Sequence, residues 1–154
     1  KFDFIPSVIK TFKLSHYFKG LEIKPGKPVL FARIKGKQKA LFGLPGNPIS
    51  TAACYRFFVN PYLLNILGVQ TEKPIKAILK NTYAKRKNMT HFVKAKLSSS
   101  NSGTLELEAL KGQDSFRIKP FTQSNIWAVF PAGKQNFKKK DMIDCFFPNY
   151  PNTI

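Results

Sequence analysis

The chain has 154 residues with a hydrophobic fraction of 43% and 14% aromatics, including 15 Phe and a single Trp, Trp127. That is enough to bury a core as one domain or two small ones, and it argues against intrinsic disorder. No apolar run is long enough for a membrane-spanning helix, no signal peptide opens the chain, and the absence of an initiator Met suggests a fragment or processed product.

The formal net charge of +18 invites a polyanion partner. Its distribution argues against specific base reading: residues 1–70 carry 11 basic and 2 acidic groups, and residues 71–154 carry 15 and 6. Only Arg33, Arg56, Arg86 and Arg117 are arginines, whereas base recognition favours Arg forks over Lys point charges. Cys54 and Cys145 lie far apart in apolar segments, as two buried thiols in a reducing cytoplasm would. His16 and His91 are equally isolated, and neither a zinc spacing nor a Ser-His-Asp or Cys-His arrangement is evident.

In chain order, residues 3–12 place Phe4 or Ile5, Val8, Ile9 and Phe12 at helical spacing, with Asp3 as N-cap and Pro6 in the first turn. An extended segment is expected between Leu14 and Ile23, then a stiff turn, Lys24-Pro25-Gly26-Lys27-Pro28. Val29 to Ile34 and Gln38 to Phe42 read as two strands of a hairpin turning at Lys35-Gly36-Lys37.

The next stretch, Gly43-Leu44-Pro45-Gly46-Asn47-Pro48-Ile49-Ser50, leaves the backbone few choices. Asn47 can cap a helix whose first position suits Pro48. Such a turn is expected to aim free backbone N–H groups and a helix dipole at one spot, which favours an anion. A plain strand-to-helix connection reads the same residues equally well. The hairpin brings Lys24 and Lys27 to the same end, either as donors to that spot or as solvated turn residues.

A helix is expected over Ile49 to Leu67, burying Ala52, Ala53, Phe57, Leu63, Leu64 and Leu67, with a kink or break at Pro61 and Gly68 as its stop. Strand–turn–helix order with apolar strands suggests part of an α/β layer. Beyond a linker at Thr71-Glu72-Lys73-Pro74, short runs at 75–79, 92–97, 104–110, 126–130 and 142–147 read as strands, with a polar hairpin loop at 98–103. Without a convincing helix between them, they indicate a small β-barrel or sandwich. Lys138-Lys139-Lys140 reads as a solvated turn.

The paired signals Ile23-Lys24-Pro25-Gly26-Lys27-Pro28 and Gly43-Leu44-Pro45-Gly46-Asn47-Pro48-Ile49-Ser50, one hairpin apart, resemble the molybdopterin molybdenumtransferase family (MoeA and the gephyrin E domain). Asp3-Phe4 resembles the end of that family's glycine-rich segment, Gly112-Gln113-Asp114-Ser115 its "GQGS", and Ser124-Asn125 to Pro131 a further motif. The resemblance implies a division into residues 1–70, the C-terminal half of a MogA-like α/β domain, and residues 71–154, a C-terminal β-barrel domain. It implies insertion of molybdate into adenylylated molybdopterin, with Mg2+ and release of AMP, by a cytoplasmic homodimer acting after a MogA-type adenylyltransferase. Lys24, Lys27, Gly43, Pro45, Gly46, Asn47, Pro48 and Ser50 fall on family motif positions, with Pro45 and Pro48 shaping the molybdate-side wall. Asp3 falls where the family has a carboxylate near its metal site.

There are departures. Gly20 stands where the family often has a basic residue, and Asp114 and Phe116 stand where it has glycines. The glycine-rich segment and the N-terminal domains are absent, so the chain by itself is not expected to be catalytically competent. Other readings remain: a basic module binding nucleic acid or acidic protein without catalysis, whose affinity would fall steeply with salt, or a scaffold with a peptide partner.

Overall fold

The computed structural model describes residues 4–37, 39–70 and 72–149. The chain opens with a short helix, α1 (Ile5–Ile9), followed by β1 (Leu14–Lys19), β2 (Ile23–Lys24), β3 (Leu30–Ile34) and β4 (Ala40–Gly43). β1, β3 and β4 form an antiparallel sheet in that order, with Phe31 opposite Phe42 and Leu30 opposite Gly43 in the expected hairpin. Ile9 of α1 packs with Leu30 and Ala32. Phe31, Phe42 and Tyr62 form an aromatic cluster, their rings meeting edge to face at 5.0–5.9 Å.

The long helix is broken in a particular way. α2 (Pro48–Cys54) passes through a π-helical turn (Tyr55–Val59) into α3 (Asn60–Ile66). Pro61 has no N–H, and its ring would collide with the carbonyl four residues back. The chain widens one turn earlier instead, so that the Asn60 N–H reaches the Tyr55 carbonyl five residues back. Gly68, at φ 72°, ends the helix, and the Val69 N–H closes onto the Leu64 carbonyl at 2.9 Å. The expected buried face is only partly so: Ala53 is buried, but Leu63 and Leu67, beyond the widened turn, are exposed.

The second half contains β5 (Ile75–Leu79), β6 (Tyr83–Ala84), β7 (Thr90–Ser99), β8 (Leu105–Ala109), α4 (Ile118–Gln123), β9 (Ile126–Phe130), β10 (Asn136–Phe137) and β11 (Met142–Phe146). The order β7-β8-β5-β11-β9 closes on itself through β7–β9, giving a five-stranded barrel. Period-two alternation sends Val93, Ala95, Leu107, Ile126, Ala128, Phe130, Ile143 and Cys145 inward. The helix α4 was not legible in the strand pattern; its Phe121 ring packs 5.9 Å from Trp127. Lys138, Lys139 and Lys140 are exposed in a turn, as expected.

The two halves share a third core. Ile23, Val29, Ile49, Ala53 and Cys54 from the first pack with Phe92 and Trp127 from the outer face of the barrel, and Phe57 stacks on Phe92 at 4.1 Å. Two further links cross the same seam. β2 pairs in parallel with the start of β7, Lys24 opposite His91. Buried Arg56 donates from Nε to the Phe147 carbonyl at 2.7 Å and pairs with Glu72, where the halves join.

Candidate functional site

A cavity of about 440 Å3 opens at this seam, lined on one side by residues 23–28, on a second by Pro45, Gly46, Asn47 and Ser50, and on a third by Met89 and Ser115. Of the sequence-predicted residues, Lys24, Lys27, Pro45, Gly46, Asn47 and Ser50 therefore meet around one space. Gly43 and Pro48 do not line it. Gly43 sits in β4 against Leu30, whose Cβ lies 3.1 Å from where a Gly43 Cβ would stand, so its role is close strand packing. Pro48 occupies the first position of α2, where a missing N–H costs nothing. Asp3 lies outside the described residues.

The expectation of free N–H groups at the helix start is corrected. Asn47 Oδ1 accepts from the Ile49 N–H at 3.1 Å and from the Ser50 N–H at 3.2 Å, and the Thr51 N–H donates to the Asn47 carbonyl at 2.8 Å. The cap thus consumes the Ile49 and Ser50 donors that the helix start was expected to aim outward. What the turn offers the cavity instead is space. Gly46 has an ordinary negative φ, and a Cβ there would meet nothing within 4 Å. Neither backbone conformation nor packing within the chain demands glycine at that position; the approach of a ligand to the backbone would.

Both lysines carry a carboxylate partner. Lys24 Nζ lies 3.6 Å from Asp114 Oδ1, and Lys27 Nζ lies 3.1 Å from Glu22 Oε1. These pairs are about half exposed, so they are weak and exchangeable. Gly26, between the lysines, has φ 106° and lies against Cys54, whose thiol is pushed up to about 11 by burial. That thiol is a packing group rather than a nucleophile.

Beneath the cavity lie polar residues that the sequence pattern did not single out. Lys94 is almost fully buried, and its ammonium donates to the carbonyls of Gly112 (3.1 Å), Asp114 (3.1 Å) and Arg117 (3.4 Å). Burial pulls its pKa down, while Asp114 partly opposes this. The Gln113 side chain acts like one more strand residue beside β7, accepting from the Lys94 N–H at 2.9 Å and donating to the Lys94 carbonyl at 2.8 Å. Only its place in the motif-like segment at 112–115 had marked Gln113.

His91 is not isolated either. Its Nδ1 lies 2.9 Å from the Tyr83 hydroxyl, and its buried Nε2 has no hydrogen-bond partner among the described residues. Burial, then the charges of Lys24 and Lys85, lower its pKa from 6.5 to about 4. A base whose pKa is lower folded than unfolded stabilises the fold when neutral. That stability is complete above about pH 6.5 and is lost as the pH falls through 4. Urea titrations are expected to show this loss, on the order of 3 kcal/mol, and His91→Gln should flatten it.

Both halves of the chain have known relatives. Residues 1–65 match the family model described as a probable molybdopterin binding domain, and residues 76–144 match the MoeA C-terminal region (domain IV). The molybdopterin molybdenumtransferase of Synechocystis sp. is 29% identical over 139 residues, covering 90% of this chain and 33% of the relative. In both matched regions the chain is similar to MoeA-type molybdopterin molybdenumtransferases. The Staphylococcus aureus (strain COL) member is 28% identical over 145 residues, covering 93% of this chain and 34% of its own length. Two structures of the molybdopterin biosynthesis MoeA protein of Pyrococcus horikoshii superpose with TM-scores of 0.71 and 0.69 at 25% and 24% identity. They cover 94% and 90% of this chain, and 34% and 33% of their own. The chain thus spans about a third of the length of the molybdopterin molybdenumtransferases it matches.

Proposed function

We propose that the seam cavity is one wall of a site at which molybdate is inserted into adenylylated molybdopterin, with release of AMP, in molybdenum cofactor biosynthesis. The observation that carries this is the convergence of Lys24, Lys27, Asn47, Ser50 and the open Gly46 on one cavity, in a chain similar to the molybdopterin molybdenumtransferases. Molybdate, the pterin phosphate and the adenylate phosphate are all anions. In this reading Lys24 and Lys27 exchange their carboxylate partners for anionic oxygens, Gly46 admits a ligand to the backbone, and the Asn47 and Ser50 side chains orient it. Pro45 and Pro48 hold the turn in a fixed shape, which matters because small misplacements of reacting groups cost large factors in rate.

Magnesium belongs to the proposed reaction, with Asp3 as its candidate ligand. The described residues hold no group of three His, Cys, Asp or Glu arranged to bind a metal ion, so no step is assigned through it here. No helix among the described residues is long and apolar enough to cross a membrane. We further propose the division at residues 70 and 71, a cytoplasmic homodimer whose second subunit borders the cleft, and a MogA-type adenylyltransferase as the upstream enzyme. The reaction is proposed for the full-length assembly, with the present residues contributing one wall.

The test is Pro45→Ala with Pro48→Ala in the full-length enzyme. Molybdate insertion, measured as cofactor formed from adenylylated molybdopterin, is expected to fall about tenfold or more, with the thermal unfolding of the barrel unchanged. Unchanged insertion would overturn the assignment of this turn.

A further inference from the structure

The segment bearing Asp114 and Ser115, a loop between β8 and α4, borders the cavity at Ser115 and is fastened by buried groups. Lys94 gathers three of its carbonyls, and Gln113 bonds both backbone groups of Lys94 and the Leu110 carbonyl at 2.6 Å. Gly112, at φ 77°, lets the chain turn where a Cβ would meet Arg117 and Pro120 at 3.1 Å. The loop is therefore set by buried hydrogen bonds, and the Asp114 side chain leaves it toward Lys24. Asp114 is also 3.5 Å from the Arg117 Nε. In a chain with only eight carboxylates among 154 residues, one is held against a cavity lysine by a buried ammonium.

We infer that Asp114 is a specificity-determining residue of this cavity: its carboxylate is a resident counter-ion on Lys24 that an incoming oxyanion must displace. This rests on the proposed reading of the cavity as an anion site. A negative group fixed at the site lowers affinity for every anion by a similar factor, so weakly bound anions with no further partners on the opposite wall are the first to fall out of the binding range. Binding is then restricted to ligands that also engage the side of Lys27, Asn47 and Ser50. The pair is half exposed, so its effect is modest and salt-sensitive.

The test titrates the chain and its Asp114→Asn variant with inorganic phosphate, sulfate and molybdate by calorimetry, at low and high salt. Asp114→Asn is expected to tighten binding of all three by about two- to fivefold at low salt, with the gain shrinking at high salt. Gln113→Ala, which loosens the fastening, should yield part of the same gain, and Asp114→Asn should add less in that background than in the native one. Unchanged or weaker binding by Asp114→Asn overturns the inference, as does the absence of anion binding to both forms. If the variant tightens binding but molybdate has no advantage over phosphate or sulfate, the inference stands and the molybdate reading loses its support.

Discussion

Replacing Arg56 by alanine should destabilise the chain by about 3–5 kcal/mol, the largest effect expected of any single substitution considered. Arg56 is buried on the π-helical turn, where it pairs with Glu72 and donates to the Phe147 carbonyl. Its guanidinium carbon also lies 5.7 Å from the Phe57 ring and 5.8 Å from the Phe146 ring. Alanine removes all of this and leaves the Glu72 carboxylate, itself only 11% exposed, without its partner. Most of the cost comes from that stranded charge rather than from the lost attraction. The double substitution Arg56→Met with Glu72→Gln should therefore cost less than Arg56→Ala alone. Urea unfolding of the three proteins checks this, and equal losses in both variants would show that the pair itself supplies the stability.

Gly26→Ala should cost about 2–5 kcal/mol, combining a left-handed backbone with a crowded core. A Cβ at Gly26 would stand 2.5 Å from Cys54 Sγ and 3.4 Å from Ile23 Cδ1, and φ is 106°. Cys54 is fully buried in the core shared by the two halves. Relief would have to come from the 24–28 turn, displacing Lys24 and Lys27 and weakening phosphate or molybdate binding along with stability. Adding Cys54→Ala should recover the crowding part of the loss but not the conformational part. Gly46→Ala serves as the control, since its Cβ meets nothing within 4 Å; it should leave the unfolding midpoint in place. Thermal unfolding paired with anion titration separates these outcomes.

Much of the fold was legible because it is locally encoded. The hairpin of β3 and β4 follows from β-branched and aromatic runs around a Gly turn, and the barrel strands from alternation of period two. Pro61 announced a break, but not that the chain would absorb it upstream as a wide turn over Tyr55–Val59. The Asn47 cap was legible; that it would take the Ile49 and Ser50 donors was not, since the same side chain could have turned outward. Lys94 shows the limit most plainly. A lysine in Phe92-Val93-Lys94-Ala95-Lys96 reads as a solvated position, and only the carbonyls of a loop 18 to 23 residues onward make it a buried one. The pairing of β2 with β7 was equally hidden, because a two-residue strand carries no mark of a partner so far along the chain.

That short strand also bears on how such proteins can be recombined. Ile23 and Lys24 belong by sequence to the first half but hydrogen-bond along the barrel, while Phe57 stacks on Phe92 across the same line. A chimera joined at the linker near residue 71 would take a barrel from one relative and fit it to another's β2 and Phe57. Its cavity-lining Lys24 would then rest on a foreign strand. The piece that can be exchanged intact is the barrel together with the 23–28 segment and the ring that stacks on it, even though these are not contiguous in the gene.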